Sequence, residues 1–201
     1  MRGVTLVECL VVLALTAICL ALALPAWRDA VQAQRVRAAS LALEDGLRQA
    51  RLHALQRGAY VRICPGGEAG ACQGAGRWEQ GWALLGEAPP GGGAAPLLGV
   101  GPALRGVRIE ADAVLARGAG FDAAGWPRRR GGALLMGSWR VCPEAGGAGR
   151  ELVLSAAGRL RAARVDCPRV SRAASAAPAQ RWLSALPTSL AVMSTMRIMR
   201  S

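Results

Sequence analysis

The sequence predicts an α+β subunit in which one long N-terminal helix, apolar enough in its first part to cross a membrane, packs on an antiparallel β-sheet globular domain. Three observations predict it. Val4 to Leu24 is a run of 21 residues whose only charge is Glu8; at ~1.5 Å per residue it makes about 30 Å of helix, enough to span a bilayer. Small and apolar residues then recur at helical spacing from Val36 to Ala54. Beyond Gly58 the period falls to two, in short segments separated by glycine-rich turns.

A length of 201 residues suits one or two domains, and one is expected because no second block of similar composition follows the first. The net charge is +12, and all 25 basic side chains are arginine. With 52% apolar residues the chain is too hydrophobic for a long disordered protein. It has one Tyr, one Phe and six Trp, so the apolar weight falls on Ala, Leu and Val, which pack helices and a modest sheet. His53 is the single histidine, which argues against histidine-rich metal sites and leaves any Ser/His/Asp triad dependent on one helical residue. No carboxylate pair, phosphate-binding glycine loop or histidine constellation appears. The expectation is therefore no enzyme, no cofactor and no metal.

Taken from the N-terminus, the apolar run admits three readings. A secretory signal would end at Ala21-Leu22-Ala23, but a carboxylate inside the run costs roughly 2.5–3.5 kcal/mol on insertion and asks for a function. A lipoprotein needs a small residue before its cysteine, whereas Cys9 follows Glu8 and Cys19 follows Ile18. The third reading uses these oddities together: Gly3-Val4-Thr5-Leu6-Val7-Glu8 resembles the processing site of type IV prepilins and pseudopilins. The resemblance implies that a prepilin peptidase cuts between Gly3 and Val4, that the new amine is methylated, and that Glu8 serves assembly with other pilin or pseudopilin subunits. A carboxylate in apolar surroundings is neutralised there by a neighbour's N-terminal ammonium. Pro25, 22 positions past the glycine, matches the kink-permitting proline of pilin helices. Val4 departs from the family, which usually has Phe at that place.

Trp27 to Arg57 continues the helix, with Val36, Ser40, Leu43, Leu47, Ala50 and Ala54 on one face and arginines on much of the rest. Gly58 is its expected stop. Strands are expected at Tyr60 to Cys64, Trp78 to Leu85, Val107 to Leu115, Ala133 to Cys142, Arg150 to Ser155 and Arg159 to Val165. Gly146 to Gly149 and Ala156 to Gly158 read as turns, and Pro89 to Pro96 as a surface loop. In an exported domain four cysteines remain outside the membrane segment, and they allow three connectivities. Cys64–Cys72, closing a short loop, and Cys142–Cys167, joining the last strands, are expected; zinc is the rival, without the usual CxxC spacing.

With these pieces in place the chain is similar to the FimT/GspH family of minor pilins and pseudopilins over residues 1 to 168. Leu47 to Gly58 followed by Val61-Arg62-Ile63-Cys64-Pro65, Trp78-Glu79-Gln80-Gly81-Trp82, Phe121 to Gly125 and Val141-Cys142-Pro143 carry that similarity in order. It implies a prepilin leader at 1–3, a pilin helix at 4–57 that crosses the inner membrane once at 4–24, and a periplasmic β-rich domain at 58–168. Residues 169–201 are expected to form a flexible extension outside the pattern. Ser155-Ala156-Ala157-Gly158-Arg159-Leu160-Arg161 resembles the GRxR signature of FimT-like pilins that bind DNA in natural transformation.

On a strand, Arg159 and Arg161 share one face while Leu160 turns to the core, and guanidinium forks suit phosphate. Gly118 to Arg172 holds ten arginines against four acidic residues, a net of +6. Arg128, Arg129, Arg130 and Arg164 are expected to extend the footprint on double-stranded DNA. The competing reading of this charge is a solvated arginine face in a lysine-free chain. The implied role is a minor pilin of a type IV pilus that binds DNA; the alternative is a minor pseudopilin of a type II secretion system.

Overall fold

The computed structural model describes residues 6–66, 72 and 76–169. Helix α1, Leu6–Arg57, runs unbroken through Pro25 for 52 residues, about 78 Å at the usual helical rise. Every side chain from Leu6 to Ala30 is exposed, although that stretch is long and apolar enough to cross a membrane. The second half is amphipathic. Val36, Ala39, Ser40, Leu43, Gly46, Leu47, Ala50 and Ala54 are buried, a face rich in small residues that lets the backbone approach the sheets closely. The Arg48–Glu44 pair spans one turn beside that face, its Arg48 side chain exposed and its Glu44 side chain half-buried. The helix ends at Gly58, whose φ of 59° suits the left-handed cap. Ala59 N–H then closes on the Ala54 carbonyl at 3.3 Å.

Among the described residues eight antiparallel strands follow: β1 Val61–Pro65, β2 Trp82–Leu85, β3 Leu97–Gly101, β4 Val107–Ala111, β5 Ala119–Phe121, β6 Gly137–Pro143, β7 Gly147–Leu154 and β8 Leu160–Cys167. They form two four-stranded sheets, ordered β3-β2-β1-β5 and β4-β6-β7-β8, rather than the single sheet expected. The core lies between these sheets and the helix, with Leu43, Leu47, Ile63, Leu84, Phe121, Trp139 and Leu152 among its buried residues. Trp82 decides how close the helix comes. Its indole lies between Gly46 of α1 and Gly101 of β3, and a Cβ at either glycine would collide with the ring. Trp78 meets Trp139 edge to face, centroids 5.6 Å apart.

Several expected strands are corrected by local chemistry. Trp78–Gln80 is a 3₁₀ turn, and strand β2 begins only after Gly81, whose φ of 104° breaks the extended run. Glu79 is buried there because its carboxylate takes Arg77 Nε at 2.6 Å and the Ile109 N–H at 3.4 Å. The run from Val107 ends at Ala111, since Asp112 turns the chain and its Oδ2 accepts the Ser138 N–H at 2.7 Å. Ala133 to Met136 precede β6 and belong to a hairpin with Arg128 to Arg130. Gly147 to Gly149 are part of β7, not a turn. Strands β3 and β5 were not anticipated. Both carry glycine, and Gly120 of β5 is forced by the Tyr60 hydroxyl and the Arg128 carbonyl packed over it.

Both expected disulfides are present, Cys64–Cys72 with Cα atoms 5.4 Å apart and Cys142–Cys167 at 5.7 Å. Cys142–Cys167 ties β6 to β8 past Gly149 of β7, where a Cβ would run into Cys167 Sγ.

Candidate nucleic-acid interface

Strand β8 pairs with β7 along its whole length and, among the described residues, is an edge of its sheet. Opposite residues share a face, so the register sorts the arginines. Arg161 lies opposite Val153 on the outer face, with Glu110, Arg140 and Glu151 on the neighbouring strands. Leu160 lies opposite buried Leu154 and packs against the core, as its spacing predicted. Arg159 sits just before the strand, exposed, its N–H held by Ser155 Oγ at 3.1 Å while its carbonyl accepts the Ser155 N–H at 3.0 Å. Gly158 supplies the φ of 75° that this turn requires. Arg164 does not belong with them. It is three residues from Arg161, so the period of two turns it to the inner face opposite Arg150.

The Ser155–Gly158 turn is anchored from two directions. Arg51 near the end of α1 donates Nη1 to the Gly158 carbonyl at 3.1 Å, and a Cβ on Gly158 would stand 3.4 Å from Pro127 Cδ. That contact brings the start of β8 beside the hairpin carrying Arg128, Arg129 and Arg130. The hairpin is built on Asp122, whose Oδ1 accepts the N–H groups of Ala124 at 3.0 Å and Trp126 at 2.9 Å. Arg128 is partly committed. Its Nε lies 3.7 Å from Asp122 Oδ2, and its Nη1 donates to Gly132 at 3.2 Å. Arg129, Arg130, Arg159 and Arg161 are exposed and make no ion pair among the described residues.

Tyr60 donates its hydroxyl to the Arg128 carbonyl at 3.2 Å. Burial raises the pKa of that hydroxyl above its ordinary value of 10.0; Arg62 and then Arg130 oppose the rise, and Glu87 adds to it. Arg51 and Tyr60 were not singled out as site residues from sequence. Their part depends on contacts 107 and 68 residues away along the chain, which no local pattern encodes.

The remaining sequence candidates lie elsewhere. Gly3 and Val4, the expected cutting site, fall outside the described residues, as does the chain from Val170 on. Glu8 is in the first turn of α1. His53 is half-buried in α1. No cluster of three or more His, Cys, Asp or Glu side chains suited to a metal occurs among the described residues.

Comparison with known proteins gives two family matches. Residues 39–158 match the family described as Type II transport protein GspH, and residues 1–24 match the prokaryotic N-terminal methylation motif. No curated protein matches. Among solved structures the chain is similar to the type IV minor pilin FimU of Pseudomonas aeruginosa in two crystal forms. One is 21% identical over 64% of this chain and 87% of that one, with a TM-score of 0.49. The other is 20% identical over 64% and 92%, with a TM-score of 0.48.

Proposed function

Because this chain belongs to the family of the type II transport protein GspH, matching it over more than half its length, we propose that it is a minor pilin of a type IV pilus whose basic end binds double-stranded DNA for uptake. Proteins of this family are structural subunits that assemble with other pilins or pseudopilins, and the apolar start of α1 anchors the chain in a membrane. In the proposed cycle the inner membrane holds Val4 to Leu24 until the prepilin peptidase cuts after Gly3. Glu8 is then neutralised by a neighbour's N-terminal ammonium as the helix enters the filament core.

One observation carries the DNA reading. The Gly158 turn that leads into Arg159 is bonded to Arg51 and lies close to Pro127, the residue before the arginine hairpin, which supports grouping Arg159 and Arg161 with Arg129 and Arg130. Four unpaired guanidinium groups at one end of the domain take phosphate oxygens, and nothing there reads base edges, so affinity is independent of sequence. The footprint is drawn without Arg164, which faces the other way. Four phosphate contacts give a log–log salt slope of about −3.6, or a loss on the order of 10² between 50 and 200 mM salt.

The test is an anisotropy titration of the full chain in detergent with a fluorescent duplex. Arg159→Ala with Arg161→Ala should weaken binding about tenfold or more and flatten the salt slope by about 1.8. The control pair Arg105→Ala with Arg117→Ala removes the same charge from exposed positions outside the proposed footprint. Equal losses from the two pairs would reduce the site to diffuse arginine attraction. The second reading, a minor pseudopilin of a type II secretion system, is favoured by membership of the type II transport protein GspH family. Absence of binding near physiological salt would select it.

A further inference from the structure

We propose that the cleft between α1 and the inner face of β8 docks an extended acidic segment of a partner protein, which adds to the edge of β8 and sets its carboxylates against Arg37, Arg150 and Arg164. The cleft exists because the last strand overhangs. Helix α1 packs over β6 and β7, whereas Ala162 and Arg164 on the inner face of β8 remain exposed. The opening is about 480 Å³, and Ala33, Ala148 and Gly149 keep its walls low. Arg37 comes from the helix, Arg150 from β7 and Arg164 from β8 directly opposite it.

None of the three arginines has a hydrogen-bond or ion-pair partner among the described residues. Asp166, opposite Ala148, is the one acidic residue on this face of β8, so the cleft stays net positive. Like charges converging from three elements repel one another, and a carboxylate between them relieves that repulsion.

Three further observations choose the occupant. Strand β8 is eight residues long and, among the described residues, paired on one side only, a template for main-chain hydrogen bonding by an added strand. An extended segment places every second side chain on the cleft side, ~6.6 Å apart, so an acidic residue at alternate positions meets the arginines in turn. The chain's own continuation has the wrong charge. From Pro168 to Ser201 it contains no Asp or Glu and five arginines, so this stretch does not supply the carboxylates. A rigid duplex resting on Arg159 and Arg161 does not reach the cleft, because Arg164 lies on the opposite face of the sheet.

The experiment uses the full chain in nanodiscs and a fluorescein-labelled ten-residue peptide of alternating glutamate and threonine. Anisotropy at physiological salt should show saturable binding. Arg37→Gln with Arg164→Gln should weaken it about tenfold, Arg159→Ala with Arg161→Ala should leave it within about twofold, and methylating alternate peptide nitrogens should abolish it. Arg150→Gln is the second variant, used if near-ultraviolet circular dichroism shows the double variant misfolded. Three results would overturn the proposal: no saturable binding, equal losses from both arginine pairs, or a single-stranded oligonucleotide that displaces the peptide and depends on Arg37 and Arg164. The duplex titration rests on the other pair, so the two readings fail separately.

Discussion

Asp122 acts on the basic end in two opposed ways. Its Oδ1 holds the turn that presents the arginines, while its Oδ2 draws Arg128 away from any other anion. Asp122→Asn keeps the acceptor and removes the charge, so duplex affinity should rise about two- to fivefold at low salt. An unchanged or lower affinity in the same titration would remove the hairpin from the DNA footprint. Tyr60 offers a check on the same hairpin by pH. Its folded pKa lies above 10.0, so the unfolded chain ionises first. The Tyr60 contribution is fully present below pH 10 and declines as the pH rises through the folded value. Tyr60→Phe should abolish that alkaline decline in urea unfolding curves, and ultraviolet titration can follow the chain's one tyrosine directly. The alternation of Leu160 and Arg161 was legible in the sequence, whereas Arg159, expected on the same strand, lies in the turn before β8. The sequence also held the reason to exclude Arg164, since an odd separation on a strand means opposite faces. What it did not show is the bond from Arg51 to Gly158, because that contact exists only once the helix end and the last turn have been brought together.

At the scale of elements, the helix was the most legible part. The six positions assigned to its packed face are all buried, and only Ala39 and Gly46 were missing from the list. Gly46 decides between two effects. Alanine there gains about 1 kcal/mol of helix propensity, but its Cβ would collide with the Trp82 indole, and overpacking a buried ring costs typically 1–3 kcal/mol. Gly46→Ala should therefore lower stability by up to about 2 kcal/mol in urea melts; a stabilised variant would mean that the helix can move off the sheet. The strands were harder, since Gly81, Gly101 and Gly120 interrupt the alternation wherever an aromatic ring or a backbone approaches closely. The disulfides differ in loop length, 25 residues against 8. Chain entropy then gives about 3.5 kcal/mol for Cys142–Cys167 and about 2.5 kcal/mol for Cys64–Cys72. Serine in place of each pair should preserve that order in thermal melts, and the reverse order would point to loss of packing around Cys64.

At the scale of the whole molecule, α1 belongs to two solvents. Its second half is packed into the domain, while from Leu6 to Ala30 every side chain faces outward. A helix apolar on all sides is stable only in lipid or against other such helices. Two kinds of processing treat that segment differently. Ordinary signal cleavage after Ala23 or Leu24 would discard it and release the domain into solution. Cleavage after Gly3 keeps it, together with Glu8, whose burial in a membrane is tolerable only if a counter-charge awaits it. The match of residues 1–24 to the N-terminal methylation motif agrees with the second course. Mass spectrometry of protein extracted from membranes should therefore find a chain that begins at Val4 and carries one methyl group on its amine. Detergent should be needed to release it. Glu8→Val should leave cleavage intact, because the cut depends on Gly3, yet should lower the fraction recovered in sheared filaments. A mature chain beginning at Leu24 or Pro25, or free release into the periplasmic fraction, would show that the apolar run serves export alone.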